Sequence, residues 1–479
     1  MRKVLIVGAG QAGLLLLNNI KEQKDLQWKV VGFVDDQVKK GSGNKLFILG
    51  PINDLPKIVR KNQIDSVIIA VPSERGSFIR KILLLLGEDN KIELLLLPRA
   101  SEVVFNNEAS YKNLRSVEIE DIVGEAIIKS DQLKLDGYFK EKTLLVTGGG
   151  GSIGTELSKQ IYLLRPKKLV ILDCVEKNLF NVKRLLNEIS GLNKSTKVIF
   201  ILGNINNFSL LKRLFKDHNI DIVFHAAAYK HVPIIEAQIY EGIFNNVFGT
   251  YHVANLAGKF RCQKFVLIST DKAVSPCNVM GKTKRLAEKI VEYFTDIFIK
   301  TMYTTVRFGN VFNSSGSAVE IFLSQIDKNK IVTVTDPKMT RYFMTIPEAV
   351  HLVLQASFMA KSDGGKYILK MGDPVNILEL AKCLARVRGY KISEVNFKVI
   401  GRRPGEKEHE ILFNSDIERK QTTIHNRIYS IHVKRKEKFV KFSQKISELF
   451  SLLKRSEVMD HSRKGADLLL KRLNGLIRD

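Results

Sequence analysis

Twice in this chain a short apolar run ends in a glycine-rich turn and passes directly into a helical pattern, and no other feature restricts the fold as strongly. Val4-Leu-Ile-Val7 leads into Gly8-Ala-Gly10-Gln-Ala-Gly13, and Thr143-Leu-Leu-Val-Thr147 into Gly148-Gly-Gly-Gly-Ser-Ile-Gly154. Glycines at these spacings permit a tight turn from a parallel strand and close packing of the next helix, as in a dinucleotide-type βαβ unit. A second apolar run follows each turn and ends in an acidic residue, at Asp35-Asp36 in the first unit and at Asp173 in the second. A third strand, Ser66–Val71, completes a first domain over 1–110. Residues 111–140 read as a polar connection carrying Glu118, Glu120 and Asp121. From 141 the second unit continues with strands at Lys197–Leu202, Ile222–His225 and Lys264–Ser269, separated by helical-period stretches. The expected fold class is therefore α/β, with two Rossmann-like doubly wound parallel sheets. From about 416 the chain is basic, with helical periodicity over Phe442–Leu453 and Ala466–Ile477, and reads as a solvated helical appendage.

The 479 residues are 44% apolar, which excludes wholesale disorder, and carry a net charge of +26. The Lys and Arg are dispersed rather than massed with aromatics. They point to phosphorylated small molecules or an anionic membrane surface, and no nucleic acid is expected. Four cysteines, Cys174, Cys262, Cys277 and Cys383, have neither metal-ligand spacing nor a disulfide framework, so no metal site is expected and a reducing compartment fits. Met1-Arg-Lys3 runs directly into a short strand, with no cleavable signal and no apolar run long enough to span a bilayer.

In the second unit, Gly148, Gly151, Ser152, Ile153 and Gly154 would let the backbone approach a pyrophosphate held at a helix N-terminus. Asp173 would accept hydrogen bonds from ribose hydroxyls and repel a 2′-phosphate, favouring NAD over NADP, although Lys177 and Lys183 are near enough in sequence to receive a phosphate. Asn204 and Ile205 would flank the adenine, and Ala226, Ala227 and Ala228 leave room for the cofactor backbone. Thr270-Asp-Lys272 closes an apolar run and is followed by Met280-Gly-Lys-Thr-Lys284. This resembles a short-chain dehydrogenase site in which the tyrosine of Tyr-x-x-x-Lys has become methionine. A thioether cannot take up a proton, so the Asp271–Lys272 pair must carry the acid–base chemistry.

Further stretches sharpen the resemblance: His225-Ala-Ala-Ala-Tyr-Lys-His-Val-Pro233, Asn245-Asn-Val-Phe-Gly-Thr250, Ser269-Thr-Asp-Lys-Ala-Val274, Arg307-Phe-Gly-Asn-Val311, Met339-Thr-Arg-Tyr-Phe-Met344 and Arg403-Pro-Gly-Glu-Lys407. Together they make residues 143 to about 415 resemble an extended short-chain dehydrogenase/reductase with a smaller substrate-binding lobe. The particular likeness is to the bacterial polysaccharide-biosynthesis family of UDP-N-acetylglucosamine 4,6-dehydratases. The first domain resembles the one that precedes the catalytic unit in large members, which carry transmembrane helices ahead of it; membrane association is expected if such helices precede this sequence. The resemblance implies a redox-neutral elimination with NAD: a hydride leaves C4, water leaves across C5 and C6, and the hydride returns to C6. A C4 ketone acidifies the C5 proton, making Lys272 the candidate base, with repulsion from Lys284 and the nicotinamide favouring its neutral form. Asp271 would collect the C4 hydroxyl proton and deliver it to the departing C6 hydroxyl, a water relay being the alternative. The resemblance further implies that Lys284 holds the nicotinamide ribose and Thr270 donates to O4. It places Lys230 and Asn245 at the cofactor, Lys230 also at the substrate, Asn310 near the phosphates and sugar, and Glu406 near the uridine ribose. Arg341 and Arg403 are the candidates for the diphosphate, because guanidinium forks match phosphate geometry.

The nearest rival is a nucleotide-sugar 4-epimerase, which needs no acid–base pair at C5 and C6; a catalytically silent NAD-binding scaffold is the rival of another class. A UDP-sugar substrate, C5 retention, a homo-oligomer and a cytoplasmic place, at the inner face of the bacterial membrane if anchored, complete the expectations. The products would feed capsule, O-antigen or protein glycans.

Overall fold

The computed structural model describes residues 1–23, 25–37, 47–71, 76–98, 111–123, 132–193, 195–312, 314–360, 364–433, 439–455 and 463–478. They divide into two compact units: Met1–Lys129 with Gly316–Thr345 and Gly372–Arg402, and Ser130–Ser315 with Ile346–Met371 and Arg403–Asp479.

The second unit is built on a nine-stranded sheet. Its order is Lys197–Leu202, Lys168–Asp173, Thr143–Thr147, Ile222–His225, Lys264–Thr270, Met302–Phe308, Gly365–Leu369, Ile428–Val433 and Glu418–Thr422. The first seven strands run parallel and the last two antiparallel. The strand order reverses beside Thr143–Thr147, where the crevice at the carboxyl ends of the strands forms the ligand position of doubly wound sheets. The central strands are buried along nearly their whole length, as continuous apolar runs covered by helices on both faces should be.

Residues 418–433, expected within a helical appendage, are instead two strands extending this sheet. The helices Phe439–Leu453 and Arg463–Arg478 do form. They are not solvated all round: Phe442, Ile446, Leu449, Leu469, Leu473 and Leu476 are buried in the same core as Val247, Leu286 and Ile290. Their apolar residues recur at helical spacing, and that stripe found a partner.

The first unit carries a six-stranded sheet in the order Ile48–Gly50, Trp28–Val34, Arg2–Val7, Ser66–Ile69, Glu93–Leu96 and Arg115–Ser116, the last antiparallel. The three-residue strand Ile48–Gly50 was not legible in the sequence. The smaller lobe consists of Gly316–Thr345 and Gly372–Arg402, and it packs with residues 1–129 as one unit. The helix Ile377–Val387 lies on Gly76–Leu85, and buried Arg386 donates to the carbonyls of Leu86, Asp89 and Ile92 at 3.1, 3.0 and 2.8 Å. These carbonyls end one helix and enter the next strand; those of Leu86 and Asp89 also accept from Asp89 N and Ile92 N, and the guanidinium adds a charged donor that ties the turn to the helix Ile377–Val387.

Candidate active site

In the glycine turn two positions are closed by the protein's own backbone and a third is open. Gly148 sits at φ +66°, and a Cβ there would lie 2.6 Å from the Ala227 backbone; a Cβ on Gly154 would lie 1.9 Å from Gly148 O. The fold itself therefore demands glycine at both positions. Gly151 is different: it is the N-cap of helix Ser152–Leu163 with φ −72°, and its Cβ would meet nothing closer than 3.5 Å. Nothing in the protein requires glycine there, whereas a ligand lying on the helix N-terminus would. Asp173 is buried, and its Oδ2 and Oδ1 accept from Gly150 N at 2.8 Å and Val175 N at 2.9 Å. Each oxygen keeps a second lone pair for a ribose hydroxyl. Ser152 Oγ accepts from Ser315 N at 3.3 Å, and Ile153 is half-buried in the same helical turn. Asn204 is exposed with its Oδ1 on Asn206 N, while Ile205 beside it is buried. Ala226, Ala227 and Ala228 are half-buried after the strand Ile222–His225, and Lys230 is exposed with Nζ 3.5 Å from Ser314 Oγ.

The catalytic candidates converge at the end of strand Lys264–Thr270. Asp271 is fully buried; its Oδ1 accepts from Thr270 Oγ1 at 2.8 Å and Lys272 Nζ at 3.0 Å, while its Oδ2 is buried with no hydrogen-bond partner among the described residues. A carboxylate oxygen left so in the interior is costly unless a ligand supplies a donor. Thr270 gives its one hydroxyl hydrogen to Asp271, so to an incoming alcohol it offers an acceptor; the expectation that it donates is reversed in this geometry. Lys272 Nζ also donates to Asn310 Oδ1 at 3.0 Å.

Helix Val279–Ile297 starts where Asn278 Oδ1 accepts from Gly281 N at 2.8 Å, a side-chain cap that starts the helix one turn before Lys284. Met280, Lys284 and Glu288 follow one another at one-turn spacing along it, and the last two bond the strand Lys264–Thr270. Met280 is buried in the hydrophobic core. Lys284 donates from Nζ to Ile268 O at 2.7 Å, and burial pushes its ammonium down to about 8 against the opposing charge of Glu288. Glu288 accepts from Ser269 Oγ at 2.6 Å.

Three features escaped the sequence reading. Glu288 anchors a buried ionic cluster with Arg307, Lys366, Arg285 and Glu418. His225 bridges Thr147 Oγ1 at 2.7 Å and Thr250 Oγ1 at 3.0 Å, and burial, reinforced by Lys284, pushes it down to about 3 and so keeps it neutral. Phe244–Gly249 is a π-helical turn, a form enriched at functional sites. In it Asn245 is buried with Nδ2 on Asn246 Oδ1, and Asn246 bonds both backbone groups of Tyr229, at 2.7 and 2.9 Å. Adjacent asparagines inside an apolar helix were the available signal.

Of the residues expected at the substrate, Arg403 is exposed and Glu406 Oε2 accepts from its backbone N at 3.2 Å, closing the Arg-Pro-Gly-Glu turn. That turn is fastened to the loop that follows Lys272: Gly405 O accepts from Asn278 Nδ2 and Cys277 Sγ, each at 3.0 Å, and Lys407 Nζ donates to Val274 O at 2.8 Å. Arg341 belongs to the first unit, buried, with Nη1 on Thr340 O at 2.7 Å.

Residues 144–433 match the family model described as polysaccharide biosynthesis protein. The chain belongs to that family. The matched span covers the nine-stranded sheet to its last-numbered strand, and residues 1–98 match a model described as a CoA-binding domain. Among relatives in the polysaccharide biosynthesis family, the capsular polysaccharide biosynthesis protein CapD of Staphylococcus aureus is 38% identical over 421 residues, 87% of this chain and 69% of that protein. The probable polysaccharide biosynthesis protein EpsC of Bacillus subtilis is 38% identical over 423 residues, 86% and 69% respectively. Of solved structures, Pen from Bacillus thuringiensis is 31% identical with a TM-score of 0.55, covering 62% of this chain and 90% of that one. The protein is thus a polysaccharide biosynthesis protein with an extended short-chain dehydrogenase/reductase fold. Among the described residues, no helix is long and apolar enough to cross a membrane.

Proposed function

We propose that this protein is an NAD-dependent 4,6-dehydratase of UDP-N-acetylglucosamine, one kind of nucleotide-sugar-modifying short-chain dehydrogenase/reductase. The observation that carries the reading is the buried Asp271, ion-paired to Lys272 beside a helix that offers methionine where a phenol would serve a simple alcohol dehydrogenase. NAD, if bound, would supply a reversible hydride acceptor. The glycine turn and Asp173 would hold its pyrophosphate and ribose, and Lys284, one helical turn beyond Met280, would hold the nicotinamide ribose.

The protons balance on this pair. The C4 hydroxyl donates to Thr270 Oγ1, whose own hydrogen passes to Asp271. Neutralising Asp271 removes the anionic partner of Lys272 Nζ, which releases its extra proton to solvent and takes the C5 proton. Asp271 then protonates the departing C6 hydroxyl, Lys272 returns its proton to C5, and the amine regains from solvent the proton it released, which restores the starting pair. Arg403, Lys230 and Glu406 of the second unit are assigned to the UDP portion.

The test is UDP-N-acetylglucosamine carrying deuterium at C4, given to the purified protein without external oxidant. A 4-keto product with the label in its new methyl group, and with one solvent hydrogen at C5 in heavy water, is expected. A C4 epimer alone would make the protein an epimerase, and dependence on stoichiometric NAD would make it a net dehydrogenase.

A further inference from the structure

We infer that Asn310 is a positioning residue for Lys272, presenting its amine with the lone pair at a fixed corner; the inference rests on the dehydratase reading above. A protonated lysine has three N–H donors, and a neutral one has two donors and a lone pair. Lys272 Nζ meets two acceptors, Asp271 Oδ1 and Asn310 Oδ1, each at 3.0 Å, with no third among the described residues. Two acceptors saturate the two N–H bonds of the neutral amine, and the remaining tetrahedral corner is left to the lone pair that must take the C5 proton. The charged form gains no further bond from the protein.

The two acceptors have different origins. Asp271 is the neighbour of Lys272 in sequence, whereas Asn310 arrives from the end of strand Met302–Phe308, whose register sets Phe308 opposite Thr270 and brings position 310 to the lysine. Asn310 also supplies an acceptor without a second negative charge. The charged groups around this turn are Asp271 itself, Lys284 from the long helix and Lys407, whose Nζ is on Val274 O. A carboxylate at 310 would add to Asp271 in favouring the ammonium. Without Asn310 the flexible four-carbon stem of Lys272 has one tether and a wide choice of rotamers.

The experiment uses the full chain, its Asn310→Ala and Asn310→Asp variants, and UDP-N-acetylglucosamine. It reads bound NADH for the oxidation step and C5 solvent exchange for the elimination. For Asn310→Ala we expect elimination, measured at saturating substrate, to slow by ~10²-fold more than oxidation does, the scale of a misplaced reacting group, so that bound NADH accumulates. For Asn310→Asp the acceptor stays and a charge is added, so the acidic limb of the pH–rate profile moves to higher pH. Unchanged rates, or a rise in KM alone with the pH limb unmoved, would overturn the inference and leave Asn310 a substrate contact at most. If Asn310→Ala does not fold, the pH limb of the near-isosteric Asp variant decides. A wild-type protein that forms no 4-keto product would instead sink the dehydratase reading, before any variant is compared.

Discussion

Replacing Glu288 with Gln should cost more stability than any comparable exchange of a surface carboxylate, and the cluster sets the size of the effect. Glu288 Oε1 accepts from Ser269 Oγ at 2.6 Å and Arg307 Nε at 2.7 Å, while Oε2 accepts from Arg307 Nη2 at 2.6 Å and Arg285 Nη1 at 3.1 Å. Lys366 Nζ stands 3.3 Å away, and the Glu288 and Arg307 side chains are both wholly inaccessible. Glutamine keeps the shape but removes the charge and turns an NH2 toward donors. Breaking a buried pair of this kind costs about 3–5 kcal/mol, a large part of a typical folding free energy. At about 2–4 °C per kcal/mol for a domain of this size, Tm should fall by roughly 6–20 °C. Equilibrium urea unfolding followed by far-UV circular dichroism measures the loss; Trp28, the sole tryptophan, lies in the first unit and reads that unit separately. The exposed pair Arg184–Glu188, 3.8 Å apart, is the control, and Glu188→Gln should change stability by no more than about 0.5 kcal/mol. The pH dependence is a second arm. Burial alone would raise the Glu288 carboxyl, but the charges of Arg307 and Lys366 and the hydrogen bonds from Arg307 outweigh it and hold the group well below the usual carboxylate range. Its stabilisation is therefore present above pH 4.5 and lost as the pH falls through the native value, so the gap between wild type and variant should narrow in acid. A loss below about 1 kcal/mol at neutral pH, or one equal to the surface control, would refute the reasoning.

Gly154→Ala, whose Cβ would meet Gly148 O at 1.9 Å, should abolish NAD binding measured by calorimetry, whereas Gly151→Ala should leave the thermal stability of the free protein unchanged and weaken only the binding. Lys272→Met should abolish turnover with NAD still bound, and Asp271→Asn should lose several orders of magnitude; a loss below about tenfold in the latter would favour a water relay. Met280→Tyr should cost about 1–3 kcal/mol from overpacking, because Met280 is buried in the core, with no gain in activity; a restored or enhanced rate would count against Asp271 as the proton carrier. His225, held neutral down to about pH 3, binds a proton in the unfolded chain near 6.5 but not in the native one, so stability should fall as the pH drops between those values, and His225→Asn should flatten that part of the curve.

Much of the architecture was legible because its causes are local. A glycine turn between an apolar run and a helical pattern is specified by a dozen neighbouring residues, and both such turns sit where the sequence places them, each with an aspartate accepting from its backbone: Asp35 from Ala9 N at 2.7 Å, Asp173 from Gly150 N at 2.8 Å. The adjacency of Thr270, Asp271 and Lys272 was likewise visible, since consecutive residues at a strand end must meet. Periodicity revealed the two C-terminal helices but not their burial, because an apolar stripe does not name its partner.

The remainder belonged to the tertiary structure. Ile428–Val433 paired with the side that Gly365–Leu369 offered and left Glu418–Thr422 as the edge strand, and 316–345 with 372–402 joined residues 1–129, Arg386 bonding the carbonyls of Leu86, Asp89 and Ile92. Glu288, Arg307, Lys366 and Glu418 are separated by up to 130 residues and neutralise one another only once three strands and a helix are in register. Asn310 reaches Lys272 for the same reason. The sequence by itself determined the two glycine turns and the adjacency of Asp271 and Lys272, because turn chemistry and side-chain period act between near neighbours; which segments share a unit, and which charges, acceptors and strand edges meet, depends on register across the sheet, which only the assembled chain decides.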